Sequence, residues 1–136
     1  MGAWAKRCYM AARAAMDDSL RPYGLGATQW YVLYQLAHEG PTLQRDLQRM
    51  LQVERATLSV VVTTLARKGL VEQLPDRVDQ RQRLLRLTSA GTRLWEALPD
   101  LSRIEDIAFA GIDAADIATA VRVLRIATER LHNTSI

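Results

Sequence analysis

The chain reads as helical almost throughout, and a single pair of extended runs interrupting it constrains the fold most. Residues 70–74 and 83–87 are short, apolar-rich stretches, and the turn-rich, charged segment PDRVDQRQ (75–82) lies between them. Together they read as a β-hairpin with a long tip. Everything around the hairpin repeats at helical spacing. Residues 3–21 carry Ala5, Tyr9, Ala12, Met16 and Leu20 at steps of three and four, and Pro22, Gly24 and Gly26 end that stripe. A second helix starts at Thr28 as its N-cap, with Trp30, Leu33, Tyr34 and Ala37 on one side, and stops at Gly40 and Pro41. A short helix covers 43–51. After Gln52 and Val53 another runs over 55–68, with Leu58, Val61, Val62 and Leu65 inward and Gly69 as its stop. Beyond the hairpin, a long helix begins at Thr88 or Ser89 and reaches Phe109. Gly111 breaks it, and Asp113 caps a last helix striped by Ile117, Val121, Leu124, Thr128 and Leu131.

Two helices joined by a tight turn and followed by a hairpin form a winged helix-turn-helix, in which the second helix is shaped for the DNA major groove. The expected fold is therefore mostly α with a small β-hairpin wing. The 136 residues suit one domain. Within it, 25–99 form the winged lobe, including the start of the helix after the wing. The terminal segments, 1–24 and 100–136, belong to neither motif and are expected to pack against each other and against a second copy. Tyr9, Met16, Ile117, Val121, Leu124 and Leu131 carry that dimerisation surface.

Net charge, only +3 over the whole chain, becomes informative when divided by position. The window 42–93 holds ten basic and five acidic residues, a net +5, and leaves −2 for the rest. All eight aromatics lie at or before Tyr34 or at or after Trp95. One region is built for charge contacts and another for apolar packing. In the helix over 55–68, turning the aliphatic face inward leaves Thr57, Ser59, Val60, Thr63 and Thr64 outward, with Arg55 and Arg67 at the two ends. Small hydroxyls there suit phosphate oxygens or base edges, and Val60 suits a thymine methyl. The bland alternative is the ordinary surface of a core helix. At the hairpin tip Arg77, Arg81 and Arg83 alternate with Asp76 and Asp79. They make either a self-neutralised solvated turn, or a loop braced by its aspartates so that an arginine reaches into a minor groove.

From Leu25 to Leu131 the chain resembles the MarR family of bacterial transcriptional regulators. The segment LQRMLQVERATLS (47–59) is similar to that family's helix-turn-helix, and LARKGLV (65–71) to the exit from its recognition helix. Asp76-x-x-Asp79-x-Arg81, followed by Leu84 and LTSAG (87–91), is similar to its wing and the start of the next helix. The resemblance implies a homodimer with intertwined terminal helices, each subunit reading half of a pseudo-palindrome in double-stranded DNA, most often as a repressor. Thr57 and Ser59 match the recognition-helix positions that meet DNA in that family, and the reading of the helix face and wing tip adds Arg55, Val60, Thr63 and Arg77 as candidate DNA contacts. Arg81 would enter the minor groove, with Asp76 and Asp79 supporting the wing. Three positions depart from the family pattern: Leu43 and Glu54 stand where capping residues are common, and Val60 where an arginine is frequent.

Family members also respond to ligands held between the dimerisation helices and the DNA-binding lobe. Tyr9, Trp30, Tyr31 and Tyr34 are the candidates here, since aromatics with polar tips suit small phenolic ligands, although core packing uses the same residues. Cys8 reads either as an inert thiol or, followed by Tyr9 and with Tyr23 and Tyr31 downstream, as a redox sensor like that of a peroxide-sensing branch. His38 and His132 have no clustered ligand partners, so neither metal nor cofactor is expected. No nucleophile–base spacing, glycine-rich phosphate loop or carboxylate pair supports an enzyme. A lone cysteine, an N-terminal apolar run broken by Lys6, Arg7, Arg13 and Asp17, and no long apolar stretch lead to a cytoplasmic, membrane-independent expectation. The competing class is a winged-helix protein-interaction module without DNA binding, which has no need of Arg81 or of the basic middle.

Overall fold

The computed structural model describes residues 2–135. Its elements are α1 (Gly2–Leu20), a single 3₁₀ turn (Arg21–Tyr23), α2 (Ala27–Glu39), β1 (Thr42–Leu43), α3 (Gln44–Leu51), α4 (Arg55–Arg67), β2 (Val71–Pro75), β3 (Arg83–Leu87), α5 (Ser89–Ala97), α6 (Ser102–Ala108) and α7 (Ala114–His132). They form two compact units, Met1–Leu101 and Ser102–Ile136. None of the helices described is long and apolar enough to cross a membrane.

The first unit is a winged helix on a three-stranded antiparallel sheet in the order β1-β3-β2. Leu85 of the central strand stands opposite Gln73 on one side and Thr42 on the other. Strand β1 was not foreseen. Its two residues are too few to show the alternation that reveals a strand, and only the edge of β3 makes them extended. The core is aliphatic: Leu20, Leu33, Leu47, Leu58, Val62, Leu65 and Leu85 are all essentially inaccessible. Each such side chain contributes about 1.5–3 kcal/mol relative to an exposed one.

Four local expectations are corrected. In α2 the buried face is Ala27, Val32, Leu33 and Leu36, while Trp30 and Ala37 are half-buried and Tyr34 is exposed. That helix is apolar nearly all round, so its periodicity fits two faces, and close packing selects the aliphatic one. Thr28 is not its cap. Gly26 occupies that position, and α1 supplies the missing acceptor: the Ala27 N–H donates to Asp17 Oδ1 at 2.8 Å, while Arg13 donates to the Thr28 hydroxyl. Of the expected α1 stripe only Met16 and Leu20 are buried, so Met16, expected on the dimerisation surface, belongs to the protomer core, and Tyr31 reaches its sulfur at 3.7 Å. Finally, the helix after the wing does not run to Phe109. It ends at Ala97 because Pro99 offers no N–H and holds Leu98 extended at φ −69°, ψ 150°.

In the second unit Gly111, at φ +75°, lies in the turn between α6 and α7. Asp113 caps α7 as expected, its Oδ1 accepting the Ala115 N–H at 3.1 Å. Neither helix of this unit buries a residue.

Candidate nucleic-acid interface

The exposed face of α4 begins with Arg55 and continues through Thr57, Val60 and Thr63; Val60 is 67% accessible. Ser59 is half-buried, and Thr64 turns its hydroxyl back onto the Val60 carbonyl at 2.9 Å. Neither Leu43 nor Glu54 caps its helix with a side chain, as their departure from the expected pattern implied.

The wing tip is built by its aspartates. Asp76 Oδ2 accepts the Asp79 N–H at 3.2 Å, while the Gln82 N–H donates to the Asp79 carbonyl and the Asp76 N–H to the Gln82 carbonyl. This closes residues 76–82 into a small turn. Asp79 then holds Arg81 twice through Oδ1, from its backbone N–H at 3.0 Å and from Nε at 3.2 Å. The guanidinium hydrogen bond, the backbone N–H of Arg81 and the charge of Arg45 together hold the Asp79 carboxyl below its ordinary value of 3.8. Its folded value is depressed, so this brace is intact above pH 3.8 and is lost only as pH falls through the lowered value. Arg81 remains 91% exposed even though Asp79 fixes its base. Arg77 and Val78 complete the exposed tip, Val78 being 94% accessible.

Between α3, α4 and the wing lies a cleft of about 600 Å³, lined by Gln44, Arg45, Gln48, Arg55, Ser59, Thr63, Gln73, Arg81, Gln82 and Arg83. Four of these are arginines and none is acidic. The cleft thus brings together Arg55, Ser59, Thr63 and Arg81 from the expected set. Arg45 and the glutamines escaped notice because α3 read only as the supporting helix of the motif. Their signal was the placement of Gln44, Arg45 and Gln48 within one turn of that helix.

The expected effector residues come together in part. Trp30 stacks on Tyr34 at 5.2 Å and meets Tyr31 edge-on at 5.1 Å, and Trp95 of α5 closes on Trp30 at 5.5 Å. His38 stacks on Tyr34 at 4.1 Å, its Nδ1 lying 2.9 Å from the Tyr34 carbonyl. Sequence reasoning missed Trp95 and His38, whose place beside α2 depends on tertiary packing. A cavity of about 400 Å³ adjoins the cluster, lined by His38, Trp95, Leu36, Pro41, Arg86 and Glu96 among others. Tyr9 stands apart on α1, its hydroxyl accepting from Arg13 at 3.2 Å. Cys8 is an exposed free thiol. Among the described residues no group of His, Cys, Asp and Glu is placed to hold a metal ion.

The profile of a family described as MarR family matches residues 23–82. The chain is 35% identical over 100 residues to the uncharacterized HTH-type transcriptional regulator YdcH of Bacillus subtilis, covering 70% of this chain and 68% of that protein. It is 26% identical over 121 residues to the HTH-type transcriptional repressor NicR of Pseudomonas putida, covering 88% and 77%. Matches to YwoH of Bacillus subtilis and the transcriptional activatory protein BadR of Rhodopseudomonas palustris span only 59% and 45% of those proteins. Among solved structures, a mutant MarR from E. coli complexed with operator DNA superposes with a TM-score of 0.83 at 23% identity, covering 93% of this chain and 91% of that one. BpsR of Bordetella bronchiseptica, whose DNA binding is regulated by 6-hydroxynicotinic acid, gives 0.80 at 26% identity, covering 93% and 97%. Fold, wing and sequence agree: the chain belongs to the MarR family of winged helix-turn-helix transcriptional regulators, a non-enzymatic family.

Proposed function

We propose that this chain is a sequence-specific DNA-binding repressor that grips a pseudo-palindromic operator as a homodimer and is released by a small aromatic ligand. The observation that carries the reading is the cleft whose lining includes four arginines and no carboxylate, set between the recognition helix and a wing whose Arg81 is held by Asp79. A backbone of phosphates is the natural partner for such a surface, and the exposed Thr57, Val60 and Thr63 are suited to base edges. A protein-interaction module would have no use for that charge.

Dimerisation is supported by the second unit, which leaves Ile107, Val121, Leu124 and Leu131 open to water. Apolar surface of that kind calls for a partner, and a second copy places two recognition helices on one duplex. They must sit about 34 Å apart to enter successive major grooves. A ligand favouring a different separation lowers affinity without unfolding either lobe. The cluster of Trp30, Tyr34, His38 and Trp95 beside its cavity supports an aromatic ligand, as does BpsR's response to 6-hydroxynicotinic acid. Cys8 adds an accessible thiol to that account, with no second cysteine in the same chain.

The wing is tested by Arg81→Ala on a duplex selected by the wild-type protein from a random pool. Affinity is expected to fall by about 10- to 100-fold, and the slope of log K against log salt to flatten by about one. An unchanged affinity across several salt concentrations would refute the wing's role.

A further inference from the structure

Resting on the DNA-binding reading, we infer that Gln44, the first residue of α3, is a positioning residue that sets which kind of base edge the recognition helix reads at Ser59. Three side chains from three elements meet in the cleft. The Gln73 amide on β2 donates to Gln44 Oε1 at 3.2 Å, and Gln44 Nε2 donates to Ser59 Oγ at 3.5 Å. The relay has a direction. Gln73 anchors the carbonyl side of Gln44, so its NH₂ is the end presented to Ser59, and the serine oxygen is held as an acceptor. Ser59 also differs from Thr64 of the same helix. Thr64, Thr119 and Thr128 each spend their proton on the carbonyl four residues back, whereas Ser59 makes no such bond. Its proton is free for a partner in the cleft that Ser59 lines.

A hydroxyl held this way acts toward DNA as a donor. In the major groove it selects base edges that offer an acceptor at that point, namely purine N7, guanine O6 or thymine O4, and disfavours the cytosine amino group. The relay also explains why a strand of the wing and the first helix of the motif share one polar contact: it ties the base of the wing to the reading position on α4.

The experiment compares the full-length wild type, Gln44→Met and Ser59→Ala. Each is measured by fluorescence anisotropy on the selected duplex and on single base-pair variants of it, alongside melting temperature and salt slope. Gln44→Met keeps the length of the side chain and removes both hydrogen bonds. It is expected to reduce discrimination by about 3- to 10-fold at one base-pair position in each half-site, the loss of a single hydrogen bond's selectivity. Melting temperature and salt slope should stay as in the wild type. Ser59→Ala should lose discrimination at the same position, and adding it to Gln44→Met should cause no further loss. The inference is overturned if Gln44→Met leaves the base-preference profile unchanged, or if it weakens every duplex equally while lowering the melting temperature. A wild type that binds no duplex at all would bring down the DNA-binding reading itself, and this inference with it.

Discussion

Leu124→Asp is expected to convert the protein to a monomer and to lower its affinity for the selected palindrome by about 100-fold or more. Residues Ser102–Ile136 form too short a unit to enclose a core of their own, and α6 and α7 bury no residue. The stripe through Ile117, Val121, Leu124 and Leu131 is apolar, yet Leu124 remains 41% exposed and Leu131 63%. If a second copy covers this stripe, a carboxylate in its middle is buried without a partner, which costs several kcal/mol. The loss then propagates to DNA. Binding of the second half-site ceases to be intramolecular, and the gain from linking two sites, about 10²- to 10⁴-fold, disappears. Light scattering at micromolar concentration together with anisotropy on the palindrome checks both consequences. A dimer that persists at low concentration would move the interface away from α7.

Gly91→Ala is expected to destabilise the fold by about 3 kcal/mol or more and to lower the melting temperature by about 10 °C. Gly91 lies in the first turn of α5, and an added Cβ would stand 2.1 Å from the Leu70 carbonyl oxygen and 3.2 Å from Leu87 Cδ2. The obstacle is backbone, with no flexible side chain to swing aside. The same carbonyl accepts the Thr88 N–H at 3.1 Å, and the Thr88 hydroxyl both donates to the Gly69 carbonyl and caps Gly91 at 3.0 Å. The start of α5 is therefore docked on the end of α4's exit loop, and relieving the clash breaks that docking. Gly2→Ala serves as the control, because its Cβ would meet nothing within 4 Å. A Gly91→Ala protein melting within 1–2 °C of wild type would contradict the close approach.

These two positions show what the sequence made legible. The helix-turn-helix, the hairpin and the Asp113 cap could be read directly, because each depends on local spacing: aliphatic residues at helical intervals, a charged turn between two apolar runs, an acid just before a helix. The break at Pro99 is equally local, since a proline holds the residue before it extended. Other features had no local signal. Strand β1 exists because β3 runs beside it, Asp17 reaches across from α1 to cap α2, and Gly91 is required by a carbonyl 21 residues earlier. In α2 the periodicity was truthful but ambiguous, and only the rest of the core could select Val32, Leu33 and Leu36 over Trp30 and Tyr34.

The candidate site divides the same way. Arg81 and its supporting aspartates were visible as an interleaved run, and the hydrogen bonds of the wing follow from that spacing. The cleft was not visible, since Gln44 and Arg45 of α3 and Gln73 of β2 converge only when the sheet closes on α3.

The most direct test is the specificity ratio of the wild-type protein. Fluorescence anisotropy at about physiological salt, on the duplex it selects from a random pool and on a scrambled duplex of the same composition, gives that ratio in one experiment. A winged-helix operator reader is expected to bind the selected pseudo-palindrome about 10³-fold or more tightly than the scrambled duplex. Equal affinity for the two duplexes, or no binding to either, would contradict it.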